Sequence, residues 1–381
     1  MPIRVVVIGA GAAGLSAAWA CAELGADVLV VEHRHIAAGS SGLSAGILNR
    51  QVADPRDRVM RTASVGIIES LAAAGQVSIR RCGYLRLARS PEQWRAMQEA
   101  VVDADPELSR VVTAAEVERM VPGIRAEDVL GAMYGPADGH IDGPELCTAY
   151  LDRARRHGAR YLGGHQVVGA TVTPADVRLR LDDGSDLVAD SVINAAGPWL
   201  GVTSELLGVR LPMANQRHAI CTVRVPELDR RSIPIVQTYV PGDAADAVYV
   251  RPEAPGMLLA GLHSYSLSGA ATDPDEPLGP VSARYVDDVG SALAERFPGW
   301  ESATLAPGWT GLYPMTRDGR PVIGPHVDEP RIVSCGGLGG VGLTVSGVVG
   351  RMAAEWALLG ACRVLPFADA YLPDRTELEV G

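Results

Sequence analysis

The chain of 381 residues carries 34 basic and 45 acidic side chains, a formal net charge of −11, with 47% hydrophobic and 21% charged residues. That balance is globular rather than disordered, and the length suffices for two domains or one domain with a large insertion. The acidity argues against nucleic acid or an anionic membrane surface as partner, and no apolar run reaches the length of a membrane span.

Chain order opens with Val5-Val6-Val7-Ile8, an apolar run too brief for a helix, broken by Gly9-Ala10-Gly11-Ala12-Ala13-Gly14. An Ala-rich helical pattern runs from Leu15 to Leu24, and a second apolar run, Val28–Val31, ends in the acid Glu32. Strand, G-x-G-x-x-G, helix, strand and acid in that order form a dinucleotide-binding fingerprint. Gly9 allows the tight turn off the strand, Gly11 lets a pyrophosphate approach the backbone, and Gly14 lets the helix lie close to the sheet. The helix N-terminus offers N–H groups and a positive dipole end to phosphates. Glu32 is placed to accept from an adenosine ribose 2′-OH and disfavours a 2′-phosphate.

The stretch Ala37–Leu48 is small, polar and glycine-rich before it turns apolar, a composition that lets backbone and hydroxyls wrap a ligand. Val59, Met60, Ala63, Ile67 and Leu71 space a helix over residues 57–74, and Gly83–Ala88 alternates as a strand. Ser90-Pro91-Glu92 caps a helix reaching Val101, and Ala114–Met120 is a short helix halted by Pro122-Gly123. Residues 134–142 form a turn-rich linker, followed by a helix over Pro144–His157 and a strand over Gln166–Thr173. Asp182-Asp183-Gly184 marks a hairpin turn. Ser191–Trp199 is a buried strand that stops at small residues, as a strand passing under a dinucleotide would. Residues 211–309 change texture to alternating strands and Pro/Gly turns, among them Ala219–Val225, Ala247–Arg251 and Met257–Gly261, a largely antiparallel second domain. The C-terminal part returns to a strand (Arg331–Cys335), a glycine turn (Gly336–Gly342) and a helix (Leu343–Leu359). Its helix N-terminus would stabilise negative charge on a redox ring.

Every one of the 34 basic residues is arginine, which excludes a Schiff-base lysine. Six scattered cysteines, Cys21, Cys82, Cys147, Cys221, Cys335 and Cys362, show neither C-x-x-C nor metal-ligand spacing. Reduced thiols in a cytoplasmic protein, with no metal, are the expectation.

Four separated motifs share one order along the chain: the fingerprint with Glu32, Gly39–Leu48, Asn194–Trp199, and Gly311–Gly324 followed by Gly337–Leu343. In them the whole chain resembles the FAD-dependent amine and amino acid oxidoreductases of the D-amino acid oxidase superfamily, nearest to glycine oxidase and sarcosine oxidase or dehydrogenase. The resemblance implies an α/β chain of two domains. One is a Rossmann-like FAD-binding domain of the glutathione-reductase type, discontinuous over residues 1–82, 145–210 and 305–381. The other is a substrate-binding domain with a mostly antiparallel sheet over residues 83–144 and 211–304. FAD would lie extended, with Gly9, Gly11, Ala12, Ala13 and Gly14 on the pyrophosphate and Glu32 on the ribose. His33 and Arg34 would sit near the adenine, with Val167 touching it through its backbone. Ser40, Ser41, Ala45 and Gly46 would follow the pyrophosphate and flavin, and Ala196, Gly197 and Trp199 would pass under the dinucleotide. Gly337, Leu338, Gly339, Gly340, Val341, Gly342, Leu343 and Thr344 would meet the isoalloxazine, with Gly311 beside it.

Departures from the relatives narrow the chemistry. Those with covalent flavin carry Cys where Gly311 aligns, so noncovalent FAD is expected here. A Lys that assists reaction with oxygen is replaced by Leu259, which leaves oxygen or another electron acceptor. Two Arg of glycine oxidase, one of which grips the substrate carboxylate, are replaced by Tyr313 and Gly340, giving a neutral hydrogen bond and more space above the ring. The expected substrate is an amino acid amine, an N-substituted glycine or a similar secondary amine. Hydride would pass from the carbon next to nitrogen to flavin N5, and water would hydrolyse the imine. Candidate substrate contacts are Asn49, Arg50, Tyr249, Arg251, His263 and Tyr313, with His263 aligning to an active-site His of sarcosine oxidases. The alternatives are a D-amino acid or cyclic imino acid substrate, and a flavin-binding subunit without turnover.

Overall fold

The computed structural model describes residues 1–238, 248–263, 273–375 and 378. Its first sheet has six strands in the order Val322–Pro325, Ile332–Gly336, Ser191–Asn194, Arg4–Ile8, Asp27–Glu32 and Arg160–Gly163. All neighbours are parallel except the antiparallel edge strand Val322–Pro325. Helices Ala12–Glu23, Gly143–Arg156 and Gly342–Leu359 bury one face with Leu15, Val30, Leu146, Tyr150, Val348 and Met352. On the other face, the small antiparallel sheet Val167–Val172, Val177–Leu181 and Asp186–Ala189 packs Val177 and Leu179 against Val6, Ile8 and Val31. Burial on both faces explains why Val5–Ile8 and Val28–Val31 are continuously apolar rather than alternating. The first and last helices touch backbone to backbone, since a Cβ at Gly350 would fall 2.5 Å from Ala17 N.

The second sheet has eight strands in the order Thr304–Met315, Ala214–Arg224, Met257–Leu262, Val248–Ala254, Ile235–Gln237, Tyr84–Ala88, Gly131–Gly135 and Arg110–Thr113. Its one parallel pairing joins Ile235–Gln237 to Tyr84–Ala88. Alternation gives it two unlike faces. Leu85, Leu87, Val223, Val236, Val250 and Leu258 form the apolar back, covered by Val289 and Leu293 of helix Ala283–Arg296 and by the stacked rings of Phe297 and Trp300. The opposite face is polar and largely buried.

Two expectations are corrected. Residues 134–142 are no linker: Gly131–Gly135 and Gly139–Ile141 are strands. Their glycines serve close approach, since a Cβ at Gly135 would lie 2.2 Å from Gln51 Nε2 and one at Gly139 2.0 Å from Arg80 O. Helix Ala283–Arg296 stands within the stretch that reads as strands and turns, capped by Ser282, whose Oγ accepts from Tyr285 N. Its apolar stripe is narrow and becomes decisive only against the back of the sheet. The strand from Ser191 stops at Asn194, and Gly197–Trp199 is a 3-10 turn. Of the expected strand Ala247–Arg251, Ala247 lies outside the described residues. Elsewhere the expected helices and strands form with ends displaced by a few residues. Among the described residues no helix is long and apolar enough to cross a membrane, and all six cysteines are unpaired.

Candidate active site

Ile8, Val31 and Ala195, at or next to the ends of their strands, border one cavity. Gly9 leaves its strand at φ +106°, where a Cβ would strike Ala195 O at 2.5 Å, and a Cβ at Gly14 would lie 2.0 Å from Gly9 O. Turn, helix and neighbouring strand therefore meet with no room for side chains. Gly9, Gly11, Ala12, Ala13, Glu32, His33, Arg34 and Val167 line the cavity, as do Ser40, Ser41, Ala196, Gly197 and Trp199. Tyr313, Gly337, Leu338, Gly339, Gly340, Gly342 and Leu343 line it too, so both glycine turns border a single space.

The remaining candidates stand behind that wall. Gly14 lies under the first turn, and Gly46, at φ +70°, faces Ile141 O at a would-be Cβ distance of 2.0 Å. Thr344 Oγ1 donates to Ile47 O at 2.8 Å, and a Cβ on Gly311 would sit 3.4 Å from Leu43 Cβ. Ala45 and Val341 do not border the cavity either. Several polar groups of the wall are already bonded within the protein. Glu32 accepts from Ala10 N and Arg34 N at 2.8 Å each, Ser41 Oγ accepts from Ala12 N at 3.1 Å, and Ser40 Oγ donates to Leu312 O at 2.7 Å. Lining residues that the sequence did not single out include His165, Gln166, Val202, Leu206, Asp275 and Cys335. No motif marks them: Val202 and Leu206 come from helix Leu200–Leu206, Cys335 from strand Ile332–Gly336, and His165 and Gln166 from the approach to strand Val167–Val172.

The polar face of the eight-stranded sheet carries the other cluster. Arg86, Gln237 and Tyr249 form one cross-strand row that ends at Gly261. Gly261 has no side chain because the Tyr249 ring covers it, its would-be Cβ 2.7 Å from Cε1. His218 pairs across from Gly311 and stacks on Tyr313 with 3.8 Å between ring centroids, while His263 lies 6.4 Å from His218 and 5.4 Å from Tyr249. Burial pushes His218 down to about 3, with His263 contributing. Burial and the Arg86 charge take His263 down to about 4, so both rings are neutral at pH 7. Burial raises the Tyr249 hydroxyl well above its usual value.

Three of the expected substrate contacts have other partners. Arg50 is buried and pairs with Glu69 at 2.7 Å and Asp138 at 3.1 Å. Arg251 is buried against Glu253 at 2.5 Å and His140 Nδ1 at 2.5 Å. Asn49 Oδ1 accepts from Arg61 at 2.8 Å. These geometries give the three side chains partners within the protein. The expected space at Gly340 is likewise filled, since a Cβ there would lie 2.6 Å from Tyr313 Cε2. Arg86, Gln237 and His218 escaped the sequence reading, because alternation in a strand such as Tyr84–Ala88 cannot tell a buried polar face from a solvated one.

A family profile described as FAD dependent oxidoreductase (DAO) matches residues 4–356. The chain belongs to that family. Rat (Rattus norvegicus) mitochondrial dimethylglycine dehydrogenase is 25% identical over 385 residues, covering 94% of this chain and 43% of the relative. The chain thus spans less than half of that protein. Glycine oxidase of Geobacillus kaustophilus is 25% identical over 370 residues, covering 92% of each chain. The solved L-proline dehydrogenase of P. horikoshii superposes with a TM-score of 0.85 at 22% identity, covering 99% of both chains, a likeness of fold. For a DAO-family oxidoreductase the cavity suits FAD. Its glycines bring backbone to the space, an acid ends the second strand, and a second helix N-terminus, at Gly342, faces the same cavity.

Proposed function

We propose that this oxidoreductase oxidises an amino acid amine, an N-substituted glycine or similar secondary amine, at the carbon next to nitrogen. The observation that supports this reading is the polar sheet face, where buried Tyr249 and half-buried His263, His218 and Tyr313 gather, with Tyr313 against Gly340 of the glycine turn. FAD, when bound, supplies the acceptor for the hydride equivalent. The protein's task is to orient a small polar substrate, exclude water and leave the amine neutral. Neutral imidazoles suit that task, because burial leaves them unprotonated and able to accept a hydrogen bond from an amine N–H. Tyr313 offers a neutral hydroxyl in place of a guanidinium, which favours a substrate gripped less by its carboxylate than by its shape.

Gly311, which has no side chain to bond the ring, supports noncovalent FAD. The division into residues 1–82, 145–210 and 305–381 for FAD and 83–144 and 211–304 for substrate belongs to the same proposal, as do the roles given to Tyr249, His263 and Tyr313. A cytoplasmic location accords with six unpaired thiols. The names of two relatives, glycine oxidase and dimethylglycine dehydrogenase, support a glycine derivative. The test is anaerobic bleaching of the purified yellow protein by glycine, sarcosine, N,N-dimethylglycine and proline. Faster bleaching by an N-alkyl glycine than by glycine supports the reading, and bleaching by none of the four overturns it. The fold match to L-proline dehydrogenase favours one second reading, a cyclic imino acid, which faster bleaching by proline would establish. Admitting air afterwards shows whether oxygen or another acceptor takes the electrons.

A further inference from the structure

Trp199 ends the short 3-10 turn that follows the central strand Ser191–Asn194 of the parallel sheet, and its indole lines the cavity. On one side of the ring lies Arg34, its Cζ 5.1 Å from the ring centroid. From a separate segment, between strands Met257–Leu262 and Thr304–Met315 of the eight-stranded sheet, Asp275 reaches the same indole, and its Oδ1 accepts from Trp199 Nε1 at 2.7 Å. Asp275 also lines the cavity. Its backbone is held in place, because Asp275 N donates to Asp273 Oδ1 at 2.9 Å. Farther along, Thr310 Oγ1 donates to Leu278 O at 3.3 Å and Gly279 O at 3.0 Å, tying the segment to the long strand Thr304–Met315.

We propose that Arg34, Trp199 and Asp275 form a clasp across the dinucleotide groove, with Asp275 as a positioning residue that slows the escape of FAD. A carboxylate on a wall meant for a diphosphate would repel it, so its presence needs another reason. Its hydrogen bond to the indole, with the Arg34 cation on the same ring, supplies one. The bond ties together two segments that both line the cavity, and in this proposal an outgoing dinucleotide must break it or wait for it to open. The clasp is independent of which amine the protein oxidises.

The test follows release of FAD by the rise in free-flavin fluorescence after dilution, with no amine present. Asp275→Ala and Trp199→Phe each remove the bond, the second while keeping a ring for Arg34, and each should release FAD about three- to tenfold faster than wild type. The double variant should release no faster than the faster single one, because one bond is lost in all three. Asp275→Asn keeps an acceptor oxygen and should stay within twofold of wild type. Should Trp199→Phe fail to fold, the Asp275→Ala and Asp275→Asn pair decides, since Asp275 is exposed. Release by Asp275→Ala within twofold of wild type overturns the clasp. Slower release by both Asp275 variants also overturns it, showing that the carboxylate acts only by repulsion.

Discussion

Tyr313 and Gly340 interlock: a Cβ built on Gly340 would lie 2.6 Å from Tyr313 Cε2, and the same ring stacks on His218 at 3.8 Å. The tyrosine is held between the glycine turn and the sheet face, so the two positions cannot vary separately. Gly340→Ala should push the ring from its seat, costing about 1–3 kcal/mol of stability by overpacking. Tyr313→Ala in the same chain should recover most of that loss. Denaturant unfolding of both single variants and the double variant measures the coupling, and additive losses would refute the interlock.

The two neutral imidazoles on the polar face set an acid limit. His218 and His263 titrate near 3 and 4 when folded, against about 6.5 in an unfolded chain. Between those values the unfolded state binds more protons, so folding stability rises with pH there. Stability from these groups should be complete above about pH 6.5 and fall progressively toward pH 4 for His263 and pH 3 for His218. Replacing both by Gln should flatten that part of a pH–Tm curve. An unchanged slope would assign the acid sensitivity to other groups.

Arg50 and Asp138 form a buried pair, only 4% and 1% exposed. Burial pushes the Asp138 carboxyl upward, while Gln51 and Arg50 pull it down. Removing one partner strands the other charge away from water. Arg50→Met should therefore destabilise the protein by about 3–5 kcal/mol, whereas a substrate contact would chiefly raise KM. Unfolding and kinetics on the same variant separate the two roles.

Two glycines in helices should respond in opposite directions. Gly14→Ala drives a methyl to 2.0 Å from Gly9 O and should cost about 1–3 kcal/mol, with loss of bound flavin. Gly66, inside helix Pro55–Ala73, has nothing within 4 Å of a Cβ, so Gly66→Ala should stabilise by about 0.5–1 kcal/mol. Tm and flavin absorbance report both.

The sequence by itself determined the dinucleotide turn, the parallel core and the second glycine turn, because contiguous residues encode them. Strand Arg4–Ile8, the turn at Gly9 and the acid Glu32 need only local periodicity and backbone freedom. What the tertiary structure decided is which polar side chains are buried together. Arg50 and Arg251 look alike in sequence as carboxylate ligands, but Glu69, Asp138 and Glu253 reach them only through folding. His218 became a site neighbour because strand Ala214–Arg224 turns its alternate residues toward Gly311 and Tyr313. Strand periodicity fixes two faces, whereas burial of the polar one depends on which distant segments cover it.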